Sequence, residues 1–146
     1  MRVLGNVSAV AIGGRALVIE GPPGTGKTSL ALSLIDRGAT LIGDDAVTLE
    51  PVEGRLLVLP PPNTPGLAEV RNVGIVELPT TEAPLALILL LDPGAARFPL
   101  DLPERELDGI RIPVLPFAPG DAVQALRAEY ALARYGVCFP PPSETA

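Results

Sequence analysis

Three short stretches of this chain carry residue types that do chemistry on phosphate. The first is Gly21-Pro22-Pro23-Gly24-Thr25-Gly26-Lys27-Thr28, which fits G-x-x-x-x-G-K-[ST] at every fixed position. Glycines in such a loop let successive backbone N–H groups turn inward around phosphate oxygens. Lys27 adds a mobile positive charge, and the Thr28 hydroxyl is placed to ligate Mg²⁺. The second stretch is Asp44-Asp45, two adjacent carboxylates. Beside a triphosphate, one can hold or orient Mg²⁺ while the other accepts a hydroxyl proton as the nucleophile attacks the γ-phosphate. A solvated strand-end turn would use the same pair, so Asp-Asp alone does not decide. The third stretch runs from Ala68 to Glu77 and holds Glu69 and Arg71, an acid and a base two residues apart. In an extended segment they point the same way and could meet one phosphate–metal cluster. Taken alone, they read better as a surface ion pair.

The phosphate loop needs a strand before it and a helix after it, and both are legible. Arg15-Ala16-Leu17-Val18-Ile19-Glu20 is β-like, and residues 28–35 have helical character up to Asp36-Arg37, where Gly38 serves as a C-terminal cap. Residues 7–12 and 15–20 flank Gly13-Gly14, a hairpin signal. Residues 39–42 read as a short buried strand that delivers Asp44-Asp45 at its C-terminal end, where α/β sheets place ligands. A second hairpin is expected from residues 46–50 and 55–59 around Val52-Glu53-Gly54. Residues 67–73 read as a loop or short helix, 74–78 as a strand, and Pro84 to Leu91 as a fully buried central strand. A loop then carries Arg97, and residues 109–116 form one more strand. Residues 121–135 have helical spacing, with Asp121 as N-cap and Val123, Leu126, Tyr130 and Ala133 on one face. The expected fold is α/β: a single P-loop domain over residues 1–138, with a mixed twisted sheet, the P-loop helix and a C-terminal helix. A proline-rich tail is expected over 139–146.

Composition excludes several mechanisms. The chain has 146 residues, no histidine and one cysteine, Cys138. Imidazole therefore cannot act as base, ligand or phosphoryl carrier, and an internal disulfide framework is ruled out. A net charge of −6 argues against a nucleic-acid partner. The N-terminus lacks the long apolar stretch of a signal peptide, and the longest apolar run is too short to span a bilayer. The expectation is a soluble cytoplasmic protein.

Taken in order, the three stretches resemble the catalytic domain of the HPr kinase/phosphorylase family, in the short form that lacks a separate N-terminal domain. That family carries a P-loop, then R-G-x-x-L-[IV]-x-D-D, then E-[IV]-R-G-x-G-I. Here the second motif is Arg37-Gly38-Ala39-Thr40-Leu41-Ile42-Gly43-Asp44-Asp45 and the third is Glu69-Val70-Arg71-Asn72-Val73-Gly74-Ile75. The resemblance extends over residues from about 6 to 135. It implies an ATP- and Mg²⁺-dependent serine kinase acting on an HPr-type phosphocarrier protein, and a homo-oligomer. Lys27 would bind the β- and γ-phosphates, with Thr28, Glu69 and Asp44 at the metal. Asp45 would be the base in phosphorylation and the acid in the reverse attack of phosphate on phosphoserine. Arg97 corresponds to the family's loop arginine at the transferring group, and Arg71 joins the catalytic set.

The sequence departs from the family at three places. A histidine before the P-loop is Asn6, the E-[IV]-R-G glycine is Asn72, and a basic P-[VI]-[KR]-x-G-R segment reads Pro116-Phe117-Ala118-Pro119-Gly120-Asp121. Asn6 cannot carry a proton or charge, and Asn72 tolerates positive φ. Loss of both basic residues at 118 and 121 favours the kinase direction over phosphorolysis. Two alternatives stand beside this reading. One is a nucleotide-sensing module that has lost transfer. The other is a different P-loop ATPase, in which Leu87-Ile88-Leu89-Leu90-Leu91-Asp92 would be a Walker B strand.

Overall fold

The computed structural model of the chain describes residues 1–139. Its strands form in chain order: β1 (Arg2–Gly5), β2 (Val7–Ile12), β3 (Arg15–Glu20), then helix α1 (Lys27–Asp36) and β4 (Thr40–Gly43). There follow β5 (Ala46–Val52), β6 (Arg55–Leu59), β7 (Leu67–Val70), β8 (Gly74–Glu77) and β9 (Ala83–Leu91). The last elements are β10 (Glu104–Leu107), β11 (Ile110–Phe117) and helix α2 (Gln124–Tyr135). Nine strands make one mixed sheet in the order β1-β5-β6-β9-β3-β2-β4, with β11 and β10 branching from β9. β7 and β8 form a separate hairpin.

β9 is the hub of this sheet because it is apolar on both faces. Leu87, Leu89 and Leu91 pack under the helices, while Leu85 and Ile88 enter the second core layer. β3 and β11 both run parallel to β9, so their C-terminal ends finish at one edge. Strands buried on two faces read as continuous Val, Ile and Leu runs, which is why β9 was legible as central. β6 meets only the start of β9, at Ala83 and Pro84. The sheet therefore splits there, and β5 and β6 supply Val47, Leu49, Leu56 and Val58 to the layer that also holds Ala9, Val18 and Ile88.

The first hairpin forms as its sequence implies. Gly13 and Gly14 take φ of 57° and 83° between β2 and β3, the left-handed pair a tight primed turn needs. The second turns on Glu53-Gly54, also both at positive φ. α1 ends in a Schellman arrangement: Gly38, at φ 110°, donates its N–H to Ile35 O, and Ala39 donates to Leu34 O, each at 3.0 Å.

Four sequence expectations are corrected. Residues 67–73 are neither loop nor helix. They form β7 and a three-residue turn, Arg71-Asn72-Val73, into β8, with Asn72 at φ 67°. β1 and β10 were not expected. Both are short strands of mixed polarity that gain their hydrogen bonds only from a neighbour, β5 and β11 respectively. The Asp108-Gly109 turn of the β10–β11 hairpin, at φ 50° and 80°, is the signal that marks it.

The fourth correction concerns α2. Asp121 does not cap it: the helix begins at Gln124 after Val123, and the Asp121 carboxylate accepts the Val123 N–H and pairs with Arg127. The buried face is Ala125, Ala128, Ala131 and Leu132, whereas Val123, Leu126 and Tyr130 point outward. Small alanines let α2 lie close to α1 and the sheet, and spacing of large apolar residues cannot reveal a face built from small ones. Arg37 at the end of α1 donates to both carboxylate oxygens of Glu129 on α2, at 3.0 and 2.9 Å. That hydrogen bond first, and the Glu129 charge second, hold the guanidinium above its ordinary pKa. Beyond α2, Val137 N–H donates to Ala86 O, and Phe139 packs against the helix-side core with its ring 4.8 Å from the Arg55 guanidinium. The tail expected from 139 lies outside the described residues from 140 onward.

Candidate functional site

β3 feeds directly into the phosphate loop. Gly21 sits so close to its surroundings that a Cβ there would lie 2.8 Å from Thr25 Oγ1 and 3.0 Å from Leu91 Cβ. Gly24 and Gly26 are different: both are left-handed, at φ 80° and 99°, and a Cβ on Gly24 would stand in open space. These two glycines let the backbone turn its N–H groups toward the cavity. Gly26 is the N-cap of α1, with no side-chain cap and no acidic residue in the first turn. The first N–H groups of the helix are thus left for an anion, and the helix dipole favours one there. The Lys27 ammonium lies back along the loop, donating to Gly21 O at 2.7 Å and Pro22 O at 3.2 Å. Thr25 Oγ1 donates to Pro22 O at 2.7 Å and closes the turn.

β4 brings the two aspartates to this loop and gives them different surroundings. Asp44 Oδ1 accepts the hydroxyls of both Thr28 and Ser8, each at 2.8 Å. Its other oxygen receives only a long contact, 3.4 Å, from the Glu69 N–H. Asp45 is exposed and lines the cavity. It takes φ 68°, a conformation rare for a residue other than glycine but best tolerated by Asp and Asn. Its carbonyl accepts the Asn6 N–H at 2.7 Å, which fixes the turn. Asn6 itself lies at the β1–β2 junction, at φ 60°.

Gly43, just before the pair, has no room for a side chain. A Cβ would run into Ala46 O and lie 3.0 Å from both Pro61 Cδ and Val47 Cγ1. Backbone cannot give way cheaply. Gly43→Ala is therefore expected to cost about 1–3 kcal/mol of stability, read by denaturant unfolding, and to displace both carboxylates.

The cavity has a volume of about 580 Å³ and is lined by residues 24–29, Leu32, Asp45, Glu69, Arg71 and Asn72. The β7–β8 hairpin thus closes one side, with Glu69 on the strand and Arg71 in the turn. The lining thus carries two cations, Lys27 and Arg71, and two carboxylates, Asp45 and Glu69, with Asp44 joined to it through the Thr28 hydroxyl. Among the described residues no cluster of three acidic, Cys or His groups is arranged to hold a metal unaided. Mg²⁺ characteristically takes one or two protein ligands and fills its remaining positions with phosphate oxygens and water. The Thr28 hydroxyl beside Asp44, at the mouth of a glycine cradle, fits that donor set.

The structure brings together Lys27, Thr28, Asp44, Asp45, Glu69 and Arg71. It does not bring Arg97, which stands on the loop after β9 in a second groove beside Phe117, Arg127 and Tyr130. Sequence reasoning missed Ser8, whose only signal was a hydroxyl inside an apolar strand. In the Pro116–Asp121 segment, Arg127 of α2 stacks 4.4 Å over the Phe117 ring and donates to Ala118 O at 2.6 Å.

The family model of the HPr serine kinase C-terminal domain matches residues 3–81, more than half of the chain. The chain belongs to this family. Its matched region contains the loop, both aspartates and the β7–β8 hairpin. The HPr kinase/phosphorylase of Clostridium acetobutylicum is 34% identical over 141 residues, covering 86% of this chain and 46% of that protein. That of Clostridium tetani is 43% identical over 67 residues, covering 46% of this chain and 22% of that protein. This family member therefore spans less than half the length of these curated relatives. Among solved structures, the Hpr(Ser) kinase/phosphatase from Coxiella burnetii matches with a TM-score of 0.79 at 23% identity, covering 91% of this chain and 95% of that one. The HPr kinase fold is thus shared nearly end to end. Among the described residues no helix is long and apolar enough to cross a membrane.

Proposed function

We propose that this chain is an ATP- and Mg²⁺-dependent kinase that phosphorylates a serine of an HPr-type phosphocarrier protein in the cytoplasm. The observation that carries the reading is the division of labour between the two aspartates. Asp44 is tied to the Thr28 hydroxyl, whereas Asp45 is free of that network and faces the cavity. A metal-side carboxylate and a separate base are what transfer to a hydroxyl requires.

In this reading the N–H groups of residues 24–28 and the Lys27 ammonium take the triphosphate oxygens, the ammonium exchanging its carbonyl partners for phosphate. Thr28, with Asp44 and Glu69, would hold Mg²⁺, which when bound would neutralise phosphate charge. Asp45 accepts the serine Oγ proton as Oγ bonds to the γ-phosphorus and the bond to ADP breaks. In the reverse direction Asp45 returns that proton to the serine as inorganic phosphate takes the phosphoryl group. Arg71 lies within the cavity and is the cation best placed to offset charge on the transferring group. Arg97 stands outside it and is assigned no part in this chain's own pocket. Val73 and Ile75, 73% and 65% exposed, stand on the same hairpin as Glu69 and Arg71 and offer apolar contact to a protein substrate. A homo-oligomer belongs to the same proposal.

Another class of P-loop ATPase is disfavoured by Asp92. Its carboxylate accepts the Gly94 N–H at 2.8 Å within its own turn, while Asp44 occupies the place beside Thr28 where a Walker B acid acts. A sensor that binds without transfer is separated by assay. With γ-labelled ATP and the carrier, label should move to serine. With phosphoserine carrier and inorganic phosphate, release should be slower than forward transfer, because the 116–121 segment lacks free cations. Label that stays in ATP or passes only to water would overturn the kinase.

A further inference from the structure

We propose that Ser8 is a positioning residue that assigns the two oxygens of Asp44 to different tasks. This rests on the reading that Asp44 serves the metal–nucleotide complex. Ser8 is 1% exposed, on the face of β2 opposite to Val7 and Ala9 and one strand from the phosphate-loop strand, opposite Ile19. A hydroxyl in that place costs stability unless it is bonded, and valine or alanine would pack there without that demand. Among the described residues the other buried hydroxyl, Thr48, donates to the backbone at Pro60 O. Ser8 donates instead to a carboxylate at the candidate site, 36 residues away in sequence.

The consequence follows from lone-pair arithmetic. A carboxylate oxygen has two acceptor sites, and Asp44 Oδ1 fills both, with Ser8 and Thr28. The Thr28 proton is thereby committed to Asp44, which leaves its oxygen lone pairs for a cation. Oδ2 keeps its capacity, since its one contact is long. The carboxylate torsion is intrinsically broad. With Ser8 removed, Asp44 is free to turn, and Thr28 alone no longer fixes which oxygen faces the metal. Outer partners that orient a ligand in this way typically change metal affinity by about 10–100-fold.

The test is ADP binding to the full chain in Mg²⁺ and in EDTA, for wild type, Ser8→Ala, Ser8→Thr and Asp44→Asn. Metal-free ADP affinity serves as the folding control, since the loop and Lys27 are untouched. The expected result is unchanged metal-free affinity in Ser8→Ala with the Mg²⁺-dependent gain reduced about 10-fold, and recovery in Ser8→Thr. If Asp44→Asn loses the gain while Ser8→Ala keeps it, Ser8 only fills space and the proposal fails. If Asp44→Asn keeps it too, the assignment of Asp44 to the metal fails first.

Discussion

Asp45→Asn is expected to slow serine phosphorylation by about 10³-fold, within the range a general base contributes, while Mg-nucleotide affinity stays unchanged. Asparagine preserves the shape and is as tolerant as aspartate of the φ of 68° found here. The carbonyl that receives the Asn6 N–H is untouched, so the turn and its partner strand remain. Only the proton acceptor is lost. Single-turnover transfer and ADP titration, run on the same preparation, separate the two effects. Loss of nucleotide affinity in step with transfer would place Asp45 at the metal instead.

Lys27→Ala should have the opposite profile, losing nucleotide affinity and transfer together. The ammonium reaches both loop carbonyls at 2.7 and 3.2 Å, and a phosphate that took over those bonds would make charge-assisted contacts in a partly desolvated site. Removing one such donor from a developing negative charge costs about 10²–10³-fold, to be read as kcat/KM for ATP. Lys27→Arg is expected to fail as well, because a planar fork cannot replace a compact point charge inside a glycine loop. Retention of full kcat/KM in either variant would remove the phosphate loop from the account.

Local chemistry explains which parts of this molecule could be read from its sequence. The phosphate loop, the Gly13-Gly14 turn and the Gly38 cap are set by backbone conformations that only a few residues accept, so they declare themselves. β9 declares itself because burial on both faces demands an unbroken apolar run. α2 misled because its inner face is mostly alanine, Ala125, Ala128 and Ala131 beside Leu132, while Val123, Leu126 and Tyr130 remain outside. β7 was hidden because Leu67-Ala68-Glu69-Val70 has little periodicity of its own and pairs only through β8. The adjacency of Asp44 and Asp45 was plain, but their different surroundings were not: Ser8 comes from β2, Thr28 from α1 and Asn6 from the β1–β2 junction. Arg97 shows the converse. Its motif position suggested the active site, yet its loop follows β9 into a separate groove.

The most direct test of the kinase is the mass of an HPr-type carrier after incubation with the purified chain, ATP and Mg²⁺, followed by mapping of the modified residue. One added phosphoryl group on a serine is expected with wild type and none with Asp45→Asn, although both proteins bind nucleotide. A carrier that stays unmodified beside a wild-type chain that binds Mg-ATP would contradict the kinase reading.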